Sequence, residues 1–148
     1  MSKQALIFLF ERDLEQLKEE ILAYQSGDKL WTVAGDIKNS GGNLGLHICG
    51  NLQHFVGRMI GNSDYVRERD KEFSDKNVPV EALIKLIDTT KKVVIDTLSK
   101  LSPEDMKKED PKEFYKRDMD IEHFLIHLHG HLTYHMGQIN YHRRLLDN

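Results

Sequence analysis

The stretch from Ile121 to Asn148 constrains the fold of this chain more than any other. It reads IEHFLIHLHGHLTYHMGQINYHRRLLDN and holds six of the chain's eight histidines. Ile121, Phe124, Leu128, Leu132 and Ile139 recur at helical spacing, which predicts one long helix with a single apolar stripe. Such a helix cannot bury its stripe alone, so partner helices are required. At roughly 100° per residue, His131, His135 and His142 fall on one edge of the stripe. His129 falls on the opposite edge, His127 nearer the rim, and His123 points away. His131 and His135 are an i, i+4 pair, with their imidazoles one turn apart on one face. A cation at about 2.0–2.1 Å from each nitrogen can bridge that gap. Two hydrogen-bonded core histidines would give the same pair, so a metal reading needs a third ligand from elsewhere.

The rest of the chain suits an all-α partner. Its 148 residues predict one domain, residues 1–148, with a sizeable core. The 30% charged and 39% hydrophobic fractions, with only three prolines, fit a soluble and mostly helical protein. The net charge of −3 is built from interspersed acids and bases. No broad basic face follows, which argues against nucleic acid as a partner. Cys49 is the single cysteine, so no internal disulfide forms and a reducing cytoplasm is expected. Its simplest role is a small buried apolar group, with a catalytic thiol as the alternative. The apolar run Ala5 to Phe10 is too short to span a bilayer and leads into charged amphipathic sequence. Neither signal peptide nor membrane anchor is expected.

In chain order, residues 3–25 predict a first helix on the stripe Phe10, Leu14, Leu17, Ile21 and Tyr24. Turn chemistry at Gln25 to Asp28 ends it, and Trp31 reads as an anchor for the connection that follows. Asn39 to Asn43 breaks the chain and offers caps for a second helix over 41–60. Leu44, Ile48, Leu52, Phe55 and Met59 form its apolar stripe, and His47, Asn51, His54 and Arg58 share an adjacent strip. Glycines 45, 50 and 57 let a neighbour approach closely or leave room for a ligand. Residues 61–78 read as a long polar connection whose charge run, Arg67 to Glu72, is a solvated face. A third helix runs from Pro79 to Lys100 on Leu83, Leu86, Ile87, Thr90, Val94, Thr97 and Leu98. Ser102 to Asp105 reads as a turn or short helix start, and a second polar connection follows to Arg117. Asp118 and Asp120 then open the fourth helix, where negative charge suits the N-terminal dipole. The expected fold is a four-helix bundle with long crossover connections.

Bundles build metal sites from side chains that meet between facing helices. His47, inside an apolar stretch of the second helix, has a path to the face that carries His131 and His135. Three imidazoles with an open position suit a catalytic ion more than a closed structural one, and they accept zinc, nickel, iron or copper. At these residues the chain resembles a known family. Asn43-Leu-Gly-Leu-His47, with His131-xxx-His135-Met-Gly-Gln138-Ile139, is similar to the DinB/YfiT-like superfamily of metalloenzymes. The likeness covers nearly the whole chain in helix order and length, and Met136 stands where the family frequently has Arg.

The resemblance implies a bundle with long crossovers, a homodimer, and a divalent transition metal (zinc or nickel foremost) on His47, His131 and His135. It places Gln138 beside the ligands, either behind the metal or in helix packing. It also implies a small-molecule substrate and chemistry such as thiol-dependent S-transfer, with a low-molecular-weight thiol as second cofactor. Asn51, His54, Arg58 and His127 are the further candidates for the second shell or for substrate, with Tyr134 and Tyr141 behind them. A metal-dependent hydrolase and a non-catalytic metal-binding stress-response protein are the alternatives. A bundle whose histidines only pack or hydrogen-bond is the third. No HExxH, Ser-His-Asp set or glycine-rich phosphate loop is present.

Overall fold

Each predicted apolar stripe becomes a buried helix face. The computed structural model describes residues 1–109 and 119–148. Helix α1 (Lys3–Leu22) starts where the Ser2 side chain accepts from Ala5 N–H. It buries Leu6, Phe10, Leu14, Leu17 and Ile21 almost completely. Within the run Leu6 to Phe10 only Phe8 stays largely exposed, at 60%. The helix ends before residue 25 because the Gln25 amide turns away to the Asp147 carboxylate at 2.7 Å. A one-turn helix, α2 (Gly27–Leu30), carries the chain to Trp31. Trp31 anchors its connection as expected: it is 8% exposed, and a Cβ added at Gly42 would lie 2.7 Å from its ring carbons.

Helix α3 (Gly41–Leu52) is capped by buried Ser40, whose Oγ accepts from Asn43 N–H. From Gln53 to Ile60 the same helix continues as a π-helix, closing with the i→i+5 bond from Gly61 N–H to Val56 O at 2.9 Å. This departs from the uniform α-helix expected over 41–60. The wider π turn changes the phase of every side chain after Leu52, so His54 and Arg58 no longer follow Asn51 at 3.6-residue spacing. Gly57 allows the side chain of Val93 close, since a Cβ there would meet it at 2.8 Å.

The connection after residue 60 contains a helix that the sequence did not announce, α4 (Arg69–Ser74). Its charge run is only partly a solvated face. Glu68, Asp70 and Lys71 are exposed, but Glu72 is 6% exposed, and the Arg67 side chain is 10% exposed. A carboxylate is buried only with partners, and Glu72 has them, as described below. Helix α5 (Val80–Lys100) follows with Pro79 as its N-cap. Helix α6 (Pro103–Met106) opens on a Ser102–Asp105 capping box. Helix α7 (Ile121–Leu146) opens on Asp120, which accepts from His123 N–H. Asp118 and the connection over 110–118 lie outside the described residues.

Helix α1 packs on α5 and α7, and α3 packs on the same two. Helices α1 and α3 are therefore diagonal, as are α5 and α7, so the chain crosses the bundle twice. This is the expected four-helix bundle with long crossovers. Buried polar pairs fix α7 against α1: His129 Nε2 meets Asp13 Oδ2 at 2.7 Å, and Arg143 donates to Glu20. Among the described residues no helix is long and apolar enough to cross a membrane.

Asn43 links the start of α3 to α4. Its Nδ2 donates to the carbonyls of Glu72 at 3.0 Å and Asp75 at 2.8 Å, while Oδ1 accepts from Ser40 Oγ and Lys76 Nζ. Replacing Asn43 by alanine takes this partner from the buried Glu72 carbonyl and the partly buried Asp75 carbonyl, and a buried group left unpaired costs about 1–3 kcal/mol. The expected result for Asn43→Ala is a loss of that order, measured from the urea midpoint.

Candidate metal centre

Helix α3 carries His47 to the wall of α7, where His131 and His135 stand one turn apart. Their Nε2 atoms converge: His131 Nε2 lies 3.2 Å from that of His47 and 3.1 Å from that of His135. Ligand atoms of all three fall within 4.8 Å of one another, the one such group of histidine, cysteine or carboxylate side chains among the described residues.

Proton accounting decides what this cluster suits. His47 Nδ1 is 2.9 Å from Glu72 Oε1, and a carboxylate only accepts, so Nδ1 carries the hydrogen. His135 Nδ1 likewise donates to Gln138 Oε1 at 2.7 Å. In their neutral forms both rings therefore turn bare Nε2 lone pairs toward His131. Burial, with the imidazoles of His135 and His47 next, pulls the His131 pKa down to about 4. Burial also lowers that of His135, against the Gln138 hydrogen bond. One N–H on His131 Nε2 could serve only one of its two neighbours. A cation satisfies all three lone pairs at once, so the donor set fits a divalent ion bound by neutral imidazoles.

The partners behind the ligands are equally specific. Burial raises the Glu72 pKa, but hydrogen bonds from His47 and Arg67 and the Arg67 charge outweigh it, leaving the group below its ordinary value. Arg67 grips it with a two-pronged fork, Nε to Oε2 at 2.8 Å and a terminal nitrogen to Oε1 at 2.9 Å. Glu72 also needs Gly50: any Cβ at that position of α3 would overlap the carboxylate. Phe73 packs on the His47 ring with centroids 4.8 Å apart.

The remaining sequence candidates divide. Gln138 lies behind His135, and Asn51 and His127 line a cleft of 120 Å³ that reaches His47 and His131. His54 and Arg58 do not line it. The π-helix carries Arg58 outward, where it donates to Tyr65 O at 3.2 Å, and His54 packs on Phe55. Burial and the Arg67 and Arg58 charges hold the His54 pKa low. His142, on the same edge as His131 in the sequence reading, is engaged elsewhere by Tyr24 Oη at 2.6 Å and Thr32 O at 2.7 Å. A second and larger opening, 420 Å³, touches His135 and Gln138 from the other side and is lined in part by Tyr134 and Tyr141. Sequence reasoning missed Glu72, Arg67 and Arg69. The usable signal was Gly50, three residues after His47, which marks where another group must press against α3.

The family model described as "Protein of unknown function (DUF1572)" matches residues 4–148. The chain belongs to the DUF1572 family. No curated protein matches it. The family description names no chemistry, so for this DUF1572 chain the donor geometry carries the functional argument.

Full-length protein incubated with zinc or nickel and then desalted should retain near one equivalent of metal by elemental analysis. The triple variant His47→Ala/His131→Ala/His135→Ala should retain none. Glu72→Gln removes the charged acceptor behind His47, and loss of such a partner weakens metal binding about 10–100-fold. Competition with a chelator should read that drop while the helical circular dichroism is kept.

Proposed function

We propose that this chain is a metal-dependent enzyme of the DinB/YfiT-like kind that transfers a low-molecular-weight thiol onto a small electrophile. The observation that carries the reading is the pair of openings on opposite sides of one three-histidine cluster. The larger touches His135 and Gln138, and the smaller touches His47 and His131. Two openings onto one centre suit a reaction of two substrates.

His47, His131 and His135 would hold a divalent ion, which would supply a Lewis acid able to lower the pKa of a thiol or water. The chain's own groups prepare the centre. Glu72 and Gln138 each accept an Nδ1–H, which in the neutral rings places the lone pairs of His47 and His135 on Nε2. Arg67 keeps Glu72 ionised, and Asn43 holds the α4 backbone that presents it. In the net reaction the thiol sulfur forms a bond to carbon. The displaced group leaves with its electron pair, and the thiol proton goes to that group or to solvent.

One observation favours thiol transfer over hydrolysis at the smaller cleft. No carboxylate lines the smaller cleft, and Glu72 is taken up by His47 and Arg67, so no carboxylate is free there to act as general base for water. The chain's own thiol is also unsuited to the chemistry. Cys49 is fully buried, and burial pushes its pKa up to about 12, so the sulfur must come from outside.

The test is single-turnover conjugation of cysteine, glutathione or bacillithiol to a chromogenic haloarene by zinc- and nickel-loaded protein. The expected result is metal-dependent loss of thiol that His131→Ala abolishes. Release of the haloarene's leaving group with no thiol consumed would point to hydrolysis instead.

A further inference from the structure

The smaller cleft contains a polar group that nothing in the protein satisfies. Asn51 is 8% exposed, and its Oδ1 is buried without a hydrogen-bond partner. Native interiors rarely leave such an acceptor unpaired. Asn51 lines the cleft that reaches His47 and His131, so a donor on a ligand bound there could pair with that oxygen.

The same cleft carries one cation without an acidic partner, Arg69. Arg67 and Arg69 line it with the histidines, and no Asp or Glu does. The Arg67 guanidinium is committed to Glu72, whereas Arg69 makes no ion pair or hydrogen bond among the described residues. Arg69 is nevertheless placed: its guanidinium lies 5.2 Å over the Phe73 ring, and that ring packs on His47. A guanidinium fork matches a carboxylate in shape as well as charge. The cleft holds 120 Å³, about four water volumes at roughly 30 Å³ each. Only the small end of a substrate fits, against walls that include Phe55 and Phe124, whose rings meet edge to face at 5.3 Å.

We infer that this cleft is a subsite for a small carboxylate bearing an adjacent hydroxyl or amino group. Arg69 takes the carboxylate, and Asn51 Oδ1 accepts from the neighbouring O–H or N–H. The inference rests on the metal-enzyme reading for its role in catalysis and assigns the electrophilic substrate to the hydroxy- or amino-acid class. The thiol is left to the larger opening.

Calorimetric titration of the zinc-loaded full chain with lactate, propionate and lactamide tests it, with zinc content measured on every sample first. Lactate should bind at least tenfold tighter than lactamide, which lacks the charge, and tighter than propionate, which lacks the hydroxyl. Arg69→Gln should weaken lactate at least tenfold with zinc content and circular dichroism unchanged. Asn51→Leu should bring lactate down to the level of propionate and leave propionate as it was. Lactate affinity unchanged in Arg69→Gln, or no lactate binding to zinc-loaded protein, overturns the subsite while leaving the metal reading intact. Protein that takes up no zinc overturns the metal reading instead. The same titrations on that metal-free protein still decide the subsite: Arg69-dependent lactate binding supports it, and its absence overturns it.

Discussion

Much of this structure depends on one buried carboxylate. Glu72 lies between His47 and Arg67 and against the bare backbone of Gly50. An ion so buried is costly unless every lone pair is met. Removing one partner of a buried pair commonly costs about 3–5 kcal/mol. Here the need for partners works as a latch. The α4 segment docks only with Glu72 satisfied, and satisfying Glu72 fixes the ring and tautomer of His47. Asn43 applies the same logic to the backbone, since its amide spans from the α3 cap to the Glu72 and Asp75 carbonyls. A connection that would otherwise be surface loop becomes part of the centre.

The bundle itself was legible because its signals are local and periodic. The stripes on α1, α5 and α7 needed only helical spacing, and Ser40, Ser102 and Asp120 cap the helix starts their chemistry suits, while Pro79 stands one residue before the helix it was expected to begin. The histidine trio was legible for a related reason. His131 and His135 are neighbours on one helix whatever the tertiary fold, and His47 was the histidine on another helix with a path to their face. What joins them is the bundle geometry that the stripes already imply.

The rest was hidden because it depends on tertiary pairing or on a change of helix type. Nothing in the composition of Gln53 to Ile60 announces i→i+5 bonding, yet that change removes His54 and Arg58 from the strip that a uniform α-helix would give them. Within Arg67 to Glu72, the buried Arg67 and Glu72 look the same as their exposed neighbours Glu68, Asp70 and Lys71. Their burial follows from a partner on a distant helix. Only Gly50 hinted at the meeting, and a glycine says where a backbone is approached without saying by what.

The uneven distribution of charge around the centre follows from the same latch. Glu72 compensates Arg67 and orients His47, so its negative charge is spent on the far side of the ligand from the cleft. The cleft side keeps Arg69 as its one cation without an acidic partner, beside the imidazoles and with no acid in the lining. A divalent ion would add positive charge to that same side, and low-polarity walls such as Phe55 and Phe124 would carry its field further than water does. The carboxylate that positions His47 therefore also leaves the opening in front of the three histidines without an acid. The positioning of His47 and the lack of an acid in that opening both trace to one buried residue.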